Sequence, residues 1–473
     1  MSYDEIEFQY FKEAILFLKE VKWIYDVPVT KIMVKNCLEL MPIEWIETLI
    51  QLKYNELNNF VSKGKVKLSW PTSLINFVCK CKYLNKLPNP TIALSSIQLP
   101  KAFMKKISIK KQHEIFHLAQ LVHKQCSLQN ISIIVDLGAG LGHICQLLNY
   151  LFGYKVLGLE SKLQNVETAK VRQKTLFPDS LSSVKFMCKE ITINSAKKIE
   201  LILQQEFKNT KNIGLMGLHA CGDLSVVISK IYLEMNVAQL LILIPCCYHK
   251  LTLRNIKDKT NNSNKKEYFN NFPLSLTLKN AINNLNVDIG EIFKRPFMRL
   301  ACQETSDRWL AMIEETHNKH SFYLLARAIL ELYGTQNGLF LRKLVRKGTM
   351  KSQCLDFENY LKNCTQRYVY EKKFYCNETF ISHAMPWNDE IKIDIISLWK
   401  NHAEKQKIVE LYTALQSLLQ QVIESLVLFD RLSFLKEYNY ETNILSIMDK
   451  SLSPRCFAIV STKKIHTHKC LKI

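Results

Sequence analysis

The stretch Val135-Asp136-Leu137-Gly138-Ala139-Gly140-Leu141-Gly142-His143 holds the densest chemical signal in the chain. It closes a β-rich run, Ile131–Leu137, and opens into a helical pattern. Glycines at such a turn let the backbone approach a ligand, and the helix N-terminus offers unpaired N–H groups. A dinucleotide site asks for G-x-G-x-x-G. Here its third place holds His143, and the spacing is D-x-G-x-G-x-G instead. Glu160 ends the next strand-like run, where a carboxylate can accept both ribose hydroxyls of a nucleoside. Asp136 has two readings, contact with the ligand or a tie that holds the loop. Glu190 is the nearest acidic residue after the third run and the candidate for an adenine contact, with a solvated Lys189-Glu190 pair as the alternative.

A second group lies further on, in Gly217-Leu218-His219-Ala220-Cys221-Gly222-Asp223-Leu224-Ser225. In a doubly wound sheet, ligands gather outside the carboxyl ends of the strands. A histidine and a carboxylate there can supply a general base, which makes His219 and Asp223 the substrate-side candidates. Cys221 and Cys246 are candidates to line a channel, and Tyr248, in Ile244-Pro245-Cys246-Cys247-Tyr248-His249, to stack on a planar substrate. His219 could instead satisfy a backbone group, and the cysteines could be packed core. His219, Cys221, Cys246 and His249 offer nitrogen and sulfur of the kind zinc takes, but their spacings match no common zinc module, so no metal site is assigned.

Together these segments resemble the methyltransferase-like protein 25 family, and GLHACGDLS is closest to its branch called ribosomal RNA adenine dimethylase domain-containing protein. The resemblance extends to Met104–Glu114 (MKKISIKKQHE), to Ser425–Leu435 and to Leu452-Ser453-Pro454-Arg455. The H-x-C-G and C-C pairing is also similar to transfer-RNA 2′-O-methyltransferases of the Trm-thirteen type. The resemblance implies a class I fold that binds S-adenosyl-L-methionine through Asp136, Gly138, Gly140, Gly142 and Glu160. It does not settle the substrate: RNA is the leading substrate and partner on charge and family likeness together, protein side chains are second, a non-catalytic scaffold is a third reading, and transfer is expected to be direct displacement. Lys110, Lys111 and His113 either reach the cofactor or substrate or form a solvated basic face. Pro245 departs from the family, which more often has Gly there, and the chain lacks the N-P-P-Y and N-[IL]-P-Y segments of adenine methyltransferases. The branch name is therefore no evidence of adenine dimethylation.

The elements needed to hold these residues are legible as pattern. Lys155–Glu160, Val184–Cys188, Ile213–Leu218 and Leu240–Ile244 are short apolar runs separated by helical stretches, which predicts an α/β fold around a parallel sheet. Residues 402–436 carry apolar positions at three- and four-residue steps and predict a long helix on that sheet. Asn443–Met448 and Cys456–Ser461 then complete a Rossmann-like sheet of seven strands. This divides the chain into an N-terminal helical region (1–105), a discontinuous methyltransferase domain (106–250 with 402–465) and a mainly helical insertion (251–401) containing a mobile loop near 257–266.

Composition bounds the rest. With 473 residues, 47% apolar and 23% charged, the chain is built to form a core rather than to stay disordered. No run reaches the ~18 apolar residues of a membrane span, and the start Met1-Ser2-Tyr3-Asp4-Glu5 lacks the pattern of a signal peptide. The 15 cysteines form no C-x-x-C pair and read as reduced thiols in cytoplasm or nucleus. A net charge of +21 is permissive of a polyanionic partner.

Overall fold

Ile133–Leu137 is buried at every position, and a strand apolar on both faces needs cover above and below. In the computed structural model, which describes residues 3–89, 99–100, 103, 107–208, 210–254, 266–345, 356–376 and 379–463, it becomes the centre of a sheet. Strands β1 (Ile133–Leu137), β2 (Lys155–Glu160), β3 (Val184–Cys188), β4 (Ile213–Cys221) and β5 (Ala238–Cys246) run parallel. Strands β6 (Phe340–Lys343), β7 (Tyr368–Cys376) and β8 (Thr379–Met385) form a separate antiparallel sheet. Strands β9 (Glu441–Ser446) and β10 (Phe457–Thr462) then return to the first, giving the order β3-β2-β1-β4-β5-β10-β9. The α/β fold with a seven-stranded sheet is present as expected. β10 lies antiparallel to both β5 and β9.

Packing divides the chain into two compact units, one of Met1–Lys19, Tyr83–Thr305 and Gln420–Ile473, the other of Glu20–Lys82 and Ser306–Leu419. These lines differ from the segments read along the sequence, because the Tyr3–Glu20 helix finds its partners far down the chain. In the first unit Tyr10 donates to Ser425 Oγ at 3.0 Å, and Glu7 accepts from Ser433 and from Lys436 Nζ. The second unit is helical with the small sheet, and its interior holds a buried His317–Glu410 pair, with Lys407 Nζ 2.7 Å from Glu410 Oε2. The expected helical insertion thus also contains β6–β8, where Tyr368, Val369 and Tyr370 are residues that suit a strand and both tyrosines are buried, even though the sequence Glu371-Lys372-Lys373 interrupts the pattern. The run 257–266 lies outside the described residues except for Lys266. No described helix is long and apolar enough to cross a membrane.

The Gln406–Lys436 helix departs from a simple amphipathic pattern. Gln420, Glu424, Ser425, Asp430, Arg431 and Ser433 are all buried, and buried polar groups are tolerated when hydrogen-bonded. Asp430 accepts from the backbone N–H groups of Leu274 and Ser275 and from Ser275 Oγ, at 2.9–3.0 Å. Glu424 pairs with Arg455 and accepts from Gln420 Nε2 at 2.8 Å and from the Tyr248 hydroxyl at 3.3 Å. Burial pushes the Glu424 carboxyl up, and the Arg455 guanidinium works against that. Removing one partner strands a buried charge, at a cost of about 3–5 kcal/mol. Arg455→Met is expected to lose that much in urea unfolding, and Arg455→Met with Glu424→Gln to regain most of it. A loss below about 1 kcal/mol for the single variant would contradict the pairing.

Candidate functional site

The strand order reverses between β1 and β4, and a crevice opens outside the carboxyl ends of strands at such a switch point. A cleft of about 350 Å³ lies there, walled by Lys111, Asp136, Gly138–Leu141, His143, Ile144, Leu218 and His219. The floor is the turn from β1 into the His143–Phe152 helix. Gly142 caps that helix at φ +68, and a Cβ there would stand 2.4 Å from Phe186 Cζ on β3. The third glycine thus serves close packing, with a ring in the space a side chain would need.

Asp136 is the last polar group before the turn and is fully buried. Its Oδ2 accepts from the Cys145 thiol at 3.2 Å, while Oδ1 has no partner among the described residues. Burial pushes its carboxyl up to about 6, against the Cys145 hydrogen bond and the Lys111 charge. His143 stands where a dinucleotide loop has glycine, and burial followed by the charges of Arg172 and Lys111 lowers its pKa to about 4, so the ring is neutral. Its Nδ1 is also unpartnered among the described residues. Glu160, at the tip of β2, accepts from Gly140 N–H and Lys162 N–H, both at 3.0 Å, which draws the glycine turn onto the carboxylate. Glu190 follows β3 as an exposed residue and is not a wall of the cleft.

His219 sits at a shift in the β4–β5 register, with φ +59. This left-handed backbone turns the ring so that Nε2 lies 2.9 Å from Glu114 Oε2. A carboxylate only accepts, so Nε2 is the donor of this bond, and the ring also forms part of the cleft wall. Glu114, on the Ile109–Leu128 helix, is 1% exposed and also accepts from Ser453 Oγ at 2.9 Å. Burial works against its charge, yet the His219 and Ser453 hydrogen bonds and Lys111 hold its carboxyl below the usual range. Glu114 and His143 are the site residues missed in sequence. The signal for Glu114 was a lone carboxylate in a helical stretch, followed by Ile115, Phe116 and Leu118.

Other candidates are drawn into structural ties. Asp223 accepts from Thr252 N–H, Thr252 Oγ1 and Asn271 Nδ2, at 2.6–2.8 Å, so its carboxylate holds a loop rather than standing ready as a base. Tyr248 cannot stack on a substrate: it is 1% exposed, with its hydroxyl on Glu424 and the Arg431 guanidinium 5.6 Å from its ring centre. His113 is buried and accepts from Asp449 N–H at 2.9 Å, whereas Lys111 does reach the cleft and Lys110 stays half exposed. Cys221 and Cys246 lie 3.0 Å apart, sulfur to sulfur, beyond the cleft walls. Hydrogen bonding from Cys246 lowers the Cys221 thiol to about 6.

Residues 110–254 match the family model of a methyltransferase domain. That segment has the sequence pattern of a methyltransferase. It contains every wall of the cleft and the Glu114–His219 pair. The chain is 24% identical over 257 residues to "Probable methyltransferase-like protein 25" of Mus musculus, covering 53% of this chain and 37% of that protein. To the Homo sapiens protein of the same name it is 23% identical over 269 residues, covering 55% and 39%. The matched region therefore spans less than two fifths of these relatives. Among solved structures, coclaurine N-methyltransferase bound to N-methylheliamine and SAH aligns over 92% of this chain and 98% of its own at 12% identity and a TM-score of 0.25. The plantazolicin methyltransferase BamL, with a triazolic desmethylPZN analog and SAH, aligns over 75% and 92% at 11% identity and 0.21. At such scores neither neighbour bears on the chemistry.

The raised carboxyl of Asp136 has a measurable consequence in the methyltransferase segment. The folded protein keeps this proton up to about pH 6, while an unfolded Asp releases it near 3.8. The stability it contributes is complete below the lower value and lost as pH rises through the higher one, about 3 kcal/mol in all. Between pH 4 and 7 the wild type should therefore lose about that much more stability than Asp136→Asn in urea titrations. Parallel curves for the two proteins would contradict it.

Proposed function

We propose that the chain is an S-adenosyl-L-methionine-dependent methyltransferase. The observation that carries this reading is the coincidence of the methyltransferase-domain match with a cleft at the switch point, floored by the glycine turn whose Gly140 N–H is bound by Glu160. The residues present fit such a cofactor. The cleft falls in the ~300–1,000 Å³ range of small-molecule sites. Two of its walls, Asp136 and His143, each carry a buried polar atom, Oδ1 and Nδ1, with no partner among the described residues, and a Cβ at Gly140 would meet nothing within 4 Å. Glu160 is positioned to exchange the Gly140 and Lys162 N–H groups for ribose hydroxyls, and the Gly138–Gly142 backbone to border the nucleoside. Lys111 is the cation nearest the cleft for a carboxylate.

When bound, this cofactor supplies an electrophilic methyl group for direct displacement. What the chain contributes is alignment and a proton acceptor. His219 Nδ1 takes the acceptor role, and the buried Glu114 carboxylate fixes the ring's tautomer and orientation, as a carboxylate does for a catalytic histidine. Leu218 and Ile144 add apolar wall beside them. For the substrate we assign RNA, supported by the +21 charge and the family resemblance, with the cytoplasm or nucleus as its place of action.

Calorimetric titration with the cofactor or its demethylated product tests the first step. Saturable binding is expected for the wild type, none for Gly140→Arg, and about tenfold or greater weakening for Glu160→Ala. His219→Ala should keep cofactor affinity and lose turnover, read as transfer of labelled methyl into extracts of cells lacking the chain. Absence of saturable binding would overturn the enzyme reading. Label entering protein alone would overturn the RNA assignment.

A further inference from the structure

Among the described residues, Cys221, Cys246 and Cys247 bring three sulfurs within 4.8 Å of one another. Their meeting is a product of backbone irregularities rather than of regular strand pairing. β4 and β5 are parallel neighbours, and the register shift between Leu218 and Ala220 takes up one extra residue. Without it Cys221 would lie opposite Cys247; with it Cys221 lies opposite Cys246, and the two thiols share a face of the sheet. A continuing strand would send the next side chain to the other face. Cys247 instead has φ +35, in the left-handed region, and its sulfur comes back to the same cluster. Left-handed backbone at a non-glycine residue costs of order 1 kcal/mol, and the chain accepts it at both His219 and Cys247. Gly222 secures the arrangement: at φ +54 its missing Cβ leaves room for the Lys250 carbonyl, which a side chain would meet at 2.8 Å.

We propose that Cys221, Cys246 and Cys247 form a three-thiolate site for a soft divalent cation of the zinc type. Zinc–sulfur bonds of ~2.3 Å in a tetrahedron place sulfurs ~3.8 Å apart. The cluster, with Cys221 and Cys246 3.0 Å apart and all three sulfurs within 4.8 Å, is of that size. Three protein ligands leave a fourth position for water or another donor, and sulfur donors favour zinc or copper(I) over magnesium or calcium. A disulfide between Cys221 and Cys246 would use two of the sulfurs and leave the strained Cys247 without a purpose. The set differs from the histidine-containing combination suggested by sequence: His219 Nε2 is engaged with Glu114 and His249 Nδ1 with Cys302. The site stands outside the cleft walls and does not depend on the methyltransferase reading.

The test uses the full chain, reduced and stripped of metal, with Zn²⁺ and Co²⁺ as probes. One Zn²⁺ per chain is expected in competition with a chromophoric chelator. Co²⁺ should give a sulfur-to-metal charge-transfer band together with the visible bands of tetrahedral cobalt. Cys221→Ser and Cys247→Ser should each weaken binding by at least the roughly 10–100-fold that loss of a mere outer-shell partner costs, while Cys79→Ser leaves it unchanged. Zn²⁺ should also slow alkylation of Cys221 and Cys247 in the wild type, read by peptide mass, which needs no variant to fold. Metal uptake equal to that of the triple serine variant would overturn the proposal. So would full affinity in Cys247→Ser, or a reduced protein that binds no metal and closes a Cys221–Cys246 disulfide in air.

Discussion

A buried carboxylate that must remain charged constrains the first unit more than any stretch of its core. Glu114 is sealed in a helix flanked by Ile115, Phe116 and Leu118, where an unpaired charge would be costly. Its needs are met from two distant places, the bulge in β4 at His219 and the turn before β10 at Ser453. His113, its neighbour on the helix, holds the same turn through Asp449. The helix before β1, the centre of the sheet and the final strands are therefore positioned against one another by the satisfaction of a single polar group. Hydrogen bonds of this kind contribute little net stability, but leaving one unmade is expensive, which favours one arrangement over its alternatives.

The same logic governs the Gln406–Lys436 helix in its 420–436 portion. Apolar cover alone does not account for it, because Glu424, Asp430 and Arg431 are as buried as the leucines beside them. Asp430 caps a backbone turn at Leu274–Ser275, and Glu424 takes up Arg455 and Tyr248. The helix is a rod from which other segments hang by specific bonds. That is why Tyr248, an aromatic next to two cysteines at a strand end, belongs to the interior rather than to a substrate.

Legibility in the sequence followed the range of the interaction. β1 to β5 stood out because each is a short apolar run, and β9 and β10 because they repeat that texture after a long helix. The glycine turn was visible for the same reason: its signal is local, a strand, three glycines and a helix start within a few residues. The Glu114–His219 pair was not, since its members are 105 positions apart: His219 stood out in its own motif, but nothing near it in sequence points to Glu114. Asp223 looked available because nothing nearby in sequence shows that Thr252 and Asn271 will occupy it. The small β6–β8 sheet was obscured by the charged run Glu371-Lys372-Lys373 that follows the buried Tyr368 and Tyr370 in β7.

β10 adds a temporal dimension to the sheet. It pairs with β5 through Leu240–Leu243, yet it lies more than two hundred residues further along the chain. At ribosomal speeds of about 5–20 residues per second, the edge of β5 waits on the order of 10–40 s for its partner. Throughout that interval an apolar strand with free N–H and C=O groups is a template for any other extended segment. The closing strand therefore leaves the nascent chain with an open sheet edge during synthesis, an exposure that the finished molecule, with β5 covered by β10, no longer displays.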